Sequence, residues 1–157
     1  MKIPFYRKFV IHSFNSVEDI TRKLEEETTG AVKFLSGDDK KSFIGKVYKD
    51  GFKIDLSGYH SEGNYGRNSF APVNIGEYLE TEKGIDITII QRLSIDVAVF
   101  SFAIIVFFLF FTVVLSLAGE IIALFPMMLL VVSVILVVAG FRSGCKRDKK
   151  IIEEVLW

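Results

Sequence analysis

The chain has 157 residues, of which half are hydrophobic, and its 19 Lys and Arg residues balance its 19 Asp and Glu residues. This balance leaves no excess of positive charge for a nucleic-acid backbone, so we expect no nucleic-acid partner. A single cysteine, Cys145, excludes an internal disulfide framework. No set of side chains has metal-ligand spacing and no phosphate-binding glycine loop occurs, so we expect no cofactor and no metal.

The first predicted elements are a strand and a helix. Residues 5–14 are rich in aromatic and β-branched side chains, which favour a strand, and we interpret His12 within it as structural. Ser16 can cap a helix, and Asp19 three residues later suits the positive end of that helix. An apolar stripe at helical spacing follows, made up of Val17, Ile20 and Leu24. We expect this helix to end near residues 28–30.

After the helix the hydrophobic period changes to two, which predicts strands. The expected strands are residues 31–35, 42–48, 52–57, 70–80 and 85–93. Asp50-Gly51 between two of them is a strong signal for a β-hairpin, and we interpret Gly76 as a bulge. Residues 58–68 form the longest irregular stretch. These elements predict an α+β fold, in which an antiparallel β-meander is accompanied by one helix.

The stretch from residue 97 to residue 141 carries one charge, Glu120. A bilayer core about 30 Å thick needs about 20 apolar helical residues to span it. The stretch is therefore long enough for two spans, which we place at residues 97–118 and 121–141 with a tight turn between them. A domain this small could not bury two helices that are apolar on all sides, so we prefer a membrane hairpin to a pair of soluble core helices.

Basic residues after the second span set the expected orientation. This flanking cluster consists of Arg142, Lys146, Arg147, Lys149 and Lys150. Basic flanks tend to stay in the cytoplasm, so we expect a multi-pass protein of the cytoplasmic (inner) membrane with both termini inside. Arg92 adds a positive charge before the first span. Cys145 lies within the flank, where it is either a passive small residue, which we prefer, or a palmitoylation site.

The last predicted strand is joined to the first span without a Gly-, Pro- or Ser-rich linker. Ser94, Ile95 and Asp96 alone lie between them, and Ser94 or Asp96 can cap the spanning helix directly. We therefore expect the sheet to sit close against the membrane, as one unit with the hairpin.

Residues 142–157 predict a short C-terminal amphipathic helix. Its apolar positions are Ile151, Ile152, Val155 and Leu156. This tail could lie on the lipid surface with Trp157 at the interface, but we prefer its packing on the sheet. The chain is thus divided into a cytoplasmic domain (1–95), a membrane hairpin (96–141) and a cytoplasmic tail (142–157).

A set of motifs runs from the predicted strand at residues 42–48 to the last one. It comprises Phe43-x-Gly45-x-Val47, Phe52-x-Ile54, Arg67-Asn68-Ser69-Phe70-Ala71-Pro72 with Gly76 after it, and Ile87-x-Ile89 followed by Arg92. In these motifs the chain resembles an uncharacterised family of small bacterial membrane proteins. The resemblance implies a strand-rich cytoplasmic domain, then a two-helix membrane hairpin and a charged final helix. It implies no activity.

Five residues are candidates for contact with a partner, a ligand or lipid. They are His60, Arg67, Asn68, Ser69 and Arg92. For the Arg67-Asn68-Ser69-Phe70 segment we prefer a structural role, in which Asn and Ser bond nearby backbone and shape the start of a strand. His60 with Glu62 lacks metal-ligand spacing and a third partner.

No catalytic spacing occurs in the chain, so we expect a non-enzymatic protein. The spans contain no ionisable side chain and no clear small-xxx-small motif, so a single hairpin should anchor rather than conduct. We expect a membrane protein whose β-rich domain binds a partner or ligand. One form of this hypothesis is a homo-oligomeric membrane effector in bacterial defence or stress. The alternative is an immunity-type or accessory protein that binds a toxin or a larger membrane complex. A third hypothesis is an enzyme that acts at the lipid surface.

Overall fold

The computed structural model describes residues 5–29, 41–56, 59–60, 63–64, 70–82, 84–119 and 121–157. Its strands are β1 (Tyr6–Ser13), β2 (Thr28–Thr29), β3 (Phe43–Tyr48), β4 (Gly51–Leu56), β5 (Tyr59–His60), β6 (Gly63–Asn64), β7 (Pro72–Thr81) and β8 (Gly84–Leu93). Its helices are α1 (Val17–Glu26), α2 (Ile95–Leu117) and α3 (Leu124–Leu156), with a 3₁₀ turn at Ile121–Ala123. The predicted α+β class, with two long apolar helices after the sheet, is confirmed.

Six strands form one mixed sheet in the order β1-β8-β7-β4-β3-β2. The β3–β4 hairpin turns at Lys49-Asp50, as the Asp-Gly signal predicts, and β4, β7 and β8 continue antiparallel. The sheet departs from a simple meander at both edges. β1 pairs antiparallel with β8, and β2 pairs parallel with β3. Both pairings join segments that are distant in sequence, which local periodicity does not report.

Two local predictions need correction. The helix was expected to reach residues 28–30, but α1 ends at Glu26 and Thr28–Thr29 is a strand, because these β-branched residues pair with Phe43 and Ile44. Gly76 is not a bulge, since its register with both neighbouring strands is continuous. Its missing side chain instead makes room for the ring of Phe52, which occupies the position of a Cβ. The strand expected at residues 31–35 lies outside the described residues.

α1 and the C-terminal part of α3 pack on one face of the sheet. The shared core contains Ile20 and Leu24 of α1, Ile87 and Ile89 of β8, Phe52 of β4, and Ile151, Ile152 and Leu156 of α3. The tail therefore packs on the sheet, as preferred above, and it is the continuation of the second apolar helix rather than a separate one. Asn15 Nδ2 also donates to the carbonyl of Leu156 at 3.2 Å, which holds the end of α3 beside the start of α1.

The hairpin begins directly at the end of β8. Ser94 has an extended backbone, and its Oγ accepts a hydrogen bond from the N–H of Val97 at 3.4 Å, so it caps α2. Both helices are long and apolar enough to span a membrane. Among the described residues, 6 % of the most apolar 18-residue stretch of α2 is buried. In the most apolar 18-residue stretch of residues 121–156, 17 % is buried. The apolar side chains thus point outward, unlike those of a soluble core helix.

Candidate functional site at the joint between sheet and hairpin

The sheet and the hairpin meet in a second apolar cluster, which we call the joint. It contains Leu93 at the end of β8 and Val137, Phe141 and Cys145 of α3, with Phe5, Phe70 and Val97 packed against them. The rings of Phe5 and Phe141 meet edge to face with centroids 5.6 Å apart. The joint therefore ties the residue before β1, the segment just before β7, the end of β8 and both long helices together.

Close approach at the joint depends on two glycines of α3. A Cβ on Gly140 would lie 3.0 Å from Cβ of Phe70, and a Cβ on Gly144 would lie 2.8 Å from Cδ of Pro72. These glycines are four residues apart and so share one face of the helix. They form a small-xxx-small pair that the sequence analysis did not identify. The pair packs against Phe70 and Pro72, at the start of β7, rather than against another membrane helix.

Three of the expected contact residues, Arg67, Asn68 and Ser69, lie outside the described residues. The structure places the backbone of His60 in β5 and does not describe its side chain. Arg92 is exposed on β8, opposite Tyr6 and Val73, two residues before the cap of α2.

The basic cluster after the second span divides into two groups. Lys149 and Lys150 pair with carboxylates one turn along the helix, at 3.4 Å from Glu153 and 3.2 Å from Glu154. Lys149 also lies over the ring of Phe9, 5.4 Å from its centroid. Arg147 is partly buried, whereas Arg142 and Lys146 are exposed. In the part of the chain that the structure describes, neither Arg142 nor Lys146 forms an ion pair.

A buried polar network crosses from the sheet to α3 just beyond the joint. Asn74 of β7 and Gln91 of β8 are direct neighbours in the register, and Nε2 of Gln91 donates to Oδ1 of Asn74 at 2.9 Å. Nδ2 of Asn74 in turn donates to Oδ2 of Asp148 at 2.7 Å. All three side chains have no solvent exposure. The network is therefore a polar link inside the helix–sheet interface.

The carboxyl group of Asp148 is perturbed by this position. Burial penalises its charged form and raises the pKa of Asp148 to about 6, although the hydrogen bond from Asn74 and the nearby charge of Arg147 oppose the rise. The charge of Asp55 adds to it. Among the described residues, Oδ1 of Asp148 and Oε1 of Gln91 accept no hydrogen bond. Asp148 thus titrates closer to neutrality than an exposed carboxylate.

Cys145 is 2 % exposed inside the joint. Burial raises the pKa of its thiol to about 11, and the charge of Asp148 adds to that rise. A neutral thiol enclosed by Leu93 and Phe141 is a poor nucleophile and is not accessible to an acyl donor. The structure therefore favours the passive role for Cys145 over palmitoylation.

His12 lies far from the joint, near the opposite end of β8. Its Nδ1 is 2.7 Å from Oδ1 of Asp86, its direct partner across β1 and β8. These two residues, with Thr81 and Glu82, line a shallow surface cavity of about 380 Å³. Within the described ranges, no three His, Cys, Asp or Glu side chains are placed to hold a metal ion. The pair is a cross-strand contact that agrees with a structural role.

The sequence reading did not identify Asn74, Gln91 and Asp148. One signal was present: Gln91 follows Ile85, Ile87 and Ile89 at every second position and so places an amide in the inner row. In the sequence, Asp148 is an acid among the basic residues of the flank after the second span. A helical wheel over α3 would have put it on the same side as Ile151 and Ile152, because residues three and four apart share a face.

Comparisons with known proteins give no relative for this chain: no family model, curated protein or solved structure matches it. The resemblance to the two-helix bacterial family stays a prediction, and most of its most specific segment lies outside the described residues. What the structure defines is a class of architecture. An α+β sheet domain is fused, without a linker, to two helices long and apolar enough to cross a membrane.

Proposed function

We propose that this protein is a non-enzymatic integral membrane protein in which a cytoplasmic sheet domain and a two-helix hairpin move as one rigid unit. The observation that carries this proposal is the continuity of α3. A single helix holds outward-facing apolar residues such as Phe125 near one end and core residues such as Ile152 near the other. A tilt of the hairpin therefore displaces the core of the sheet domain, and a change in the sheet reaches the hairpin.

The exposed surface of α2 supports the membrane location. Large apolar side chains cover most of its circumference, including Phe100, Phe102, Phe107 and Phe110, each more than half exposed. A soluble monomer rarely exposes an apolar area of this extent, whereas lipid tails accommodate it directly. Thr112 and Ser133 satisfy their hydroxyls by donating to carbonyls one turn back, which removes polar groups from the lipid-facing surface.

Cations at the level of the joint support contact with lipid headgroups. Arg92 lies just before α2, and Arg142 and Lys146 lie one turn apart on the exposed side of α3. Positive side chains in this position favour an anionic inner leaflet and keep the sheet domain in the cytoplasm. We accordingly propose that both termini face the cytoplasm and that lipid phosphates bind these three residues.

The apolar character of the spans limits what one copy can do. In the described parts of α2 from Val97 onward and of α3 up to Phe141, no ionisable side chain occurs, so one hairpin has no polar path for ions. We propose that the hairpins act as a homo-oligomer, with a partner or ligand on the sheet domain changing their packing. We propose that such an oligomer acts as an effector in bacterial defence or stress, and this role can be tested first.

Membrane insertion is tested by alkaline extraction of wild-type protein and Val106→Arg. Val106 lies near the middle of α2 and is exposed, so an arginine there should cost about 3 kcal/mol for insertion and release protein from membranes. The matched control, Val10→Arg, places the same change on an exposed strand position and should leave the protein in the membrane fraction. Equal extraction of wild type and V106R would contradict the proposal, and an external signal from a reporter at Trp157 would contradict the orientation.

The effector role is tested by measuring membrane potential after induction. Depolarisation by the wild type, lost in Arg67→Ala at unchanged folded yield, supports a ligand-responsive effector. Protection of cells against a membrane toxin, without any depolarisation, would instead support an immunity-type protein. Loss of folded yield in R67A would assign the Arg-Asn-Ser-Phe segment to structure.

A further inference from the structure

Asp148 is the one fully buried carboxylate among the described residues, and it stands between two structural units. One turn before it, Cys145 belongs to the joint, and one turn after it, Ile151 and Ile152 belong to the core of the sheet domain. Its hydrogen-bond donor, Asn74, is on β7, and Asn74 is bonded to Gln91 on β8. The charge of Asp148 therefore bears directly on the packing of α3 against these two strands.

The network holds more acceptors than it satisfies. The amide of Asn74 satisfies one oxygen of Asp148, while Oδ1 of Asp148 and Oε1 of Gln91 receive no hydrogen bond within the described residues. Buried acceptors without donors are unfavourable, and a buried carboxylate with one neutral donor is more so. A proton bound to Asp148 removes the buried charge and adds an O–H donor to a network that has more acceptors than donors.

The surrounding charges do not replace that proton. Arg147 is close enough to act on Asp148, but its buried Nε has no acceptor among the described residues. Asp55 of β4 contributes a second negative charge, and β7 and β8 contribute the amides of Asn74 and Gln91. Arg7 of β1 stands opposite Gln91 in the register and acts on Cys145. The charge of Arg147 therefore opposes the rise in the pKa of Asp148 without cancelling it.

We propose that Asp148 is a buried proton-binding site whose occupancy controls how tightly α3 packs against β7 and β8. With the proton bound, the neutral acid stays inside the interface and the hairpin is held against the sheet. When the proton leaves, the anion favours hydration, and the interface around Asn74 and Gln91 loosens. The transition falls near pH 6, in agreement with the raised pKa of this carboxyl group. That the signal reaches a membrane rests on the proposed function, but the proton site itself does not.

Hydrogen exchange of the full-length protein in detergent micelles tests the site. After correction for intrinsic exchange, protection of peptides covering the end of α3 and the start of β7 should fall as pH rises from about 4 to about 6 and should level off above that. Asp148→Asn, which is neutral at every pH, should remove this step. The control Asp50→Asn, in the exposed β3–β4 turn, should retain it. Wild-type protection that is independent of pH, or a step that persists in D148N, would overturn the proposal.

A second variant covers the case in which D148N does not fold. Asn74→Leu removes the hydrogen bond that favours the charged carboxylate, so the step should move to higher pH. A purely structural role for Asn74 would lower protection at every pH without moving the midpoint, and that result would also overturn the proposal. Because exchange is measured in micelles, failure of the proton site is distinguishable from failure of membrane insertion in the extraction experiment.

Discussion

Gly144 of α3 lies directly against Pro72, the first residue of β7, with 2.8 Å between Cδ of the proline and the position of a Cβ at residue 144. Any side chain there would push the helix away from the sheet. The same approach places Asp148, one turn further along, within reach of Asn74, two residues further along β7. The glycine thus sets the helix–sheet distance on which the buried network depends.

Gly144→Val should destabilise the protein by about 1–3 kcal/mol through overpacking at the joint. Chemical unfolding in detergent, followed by the change in circular dichroism, measures the loss. Ser143→Val adds a similar side chain at the exposed neighbouring position and should change stability little. Equal losses in the two variants would show that the close contact with Pro72 does not limit the packing.

The buried carboxyl group should make stability depend on pH. The pKa of Asp148 is raised from 3.8 to about 6, so the folded state binds more protons than the unfolded state between these values. The stabilisation is therefore fully present below about pH 4 and is lost as pH rises from there through about 6. The total loss is about 3 kcal/mol, because the pKa of Asp148 is about 2 higher in the folded than in the unfolded state. Unfolding of wild type and D148N across this range measures the effect, and parallel curves for both would contradict it.

Cys145 should react slowly with a maleimide in the folded protein. A thiol whose pKa is raised from 9.0 to about 11 has about 100-fold less thiolate at neutral pH, and burial slows access further. A matched exposed thiol is provided by Ser143→Cys in a Cys145→Ala background. Rates followed by mass spectrometry should differ by at least this factor, and similar rates would show that the joint opens readily.

The cap of α2 should contribute measurably to the connection between sheet and hairpin. Ser94→Ala removes the acceptor for the N–H of Val97 and should lower stability by about 1 kcal/mol, whereas Ser94→Asp supplies another acceptor and should retain it. Unfolding midpoints of the two variants measure the difference. If the alanine and aspartate variants behave alike, α2 begins independently of this cap.

Several features follow from the sequence because they depend on neighbouring residues. The two apolar helices are visible in composition alone, since spanning length is a local property. The β3–β4 turn follows from Asp50-Gly51, and the caps of α1 and α2 follow from Ser16 and Ser94. The apolar stripe of the tail likewise predicts a buried face, although the sequence leaves open whether the sheet or the lipid surface covers it.

Only the tertiary structure decided which distant segments meet. β1 pairs with β8 from the other end of the sheet domain, and Gly140 and Gly144 face the start of β7 rather than another membrane helix. The same packing buries Cys145 and brings Asp148 to Asn74 and Gln91. Periodicity shows which side of an element is apolar, but not which surface covers it. In the sequence, Asp148 is one charge within a basic flank, and only the packing of α3 on the sheet shows that it is buried.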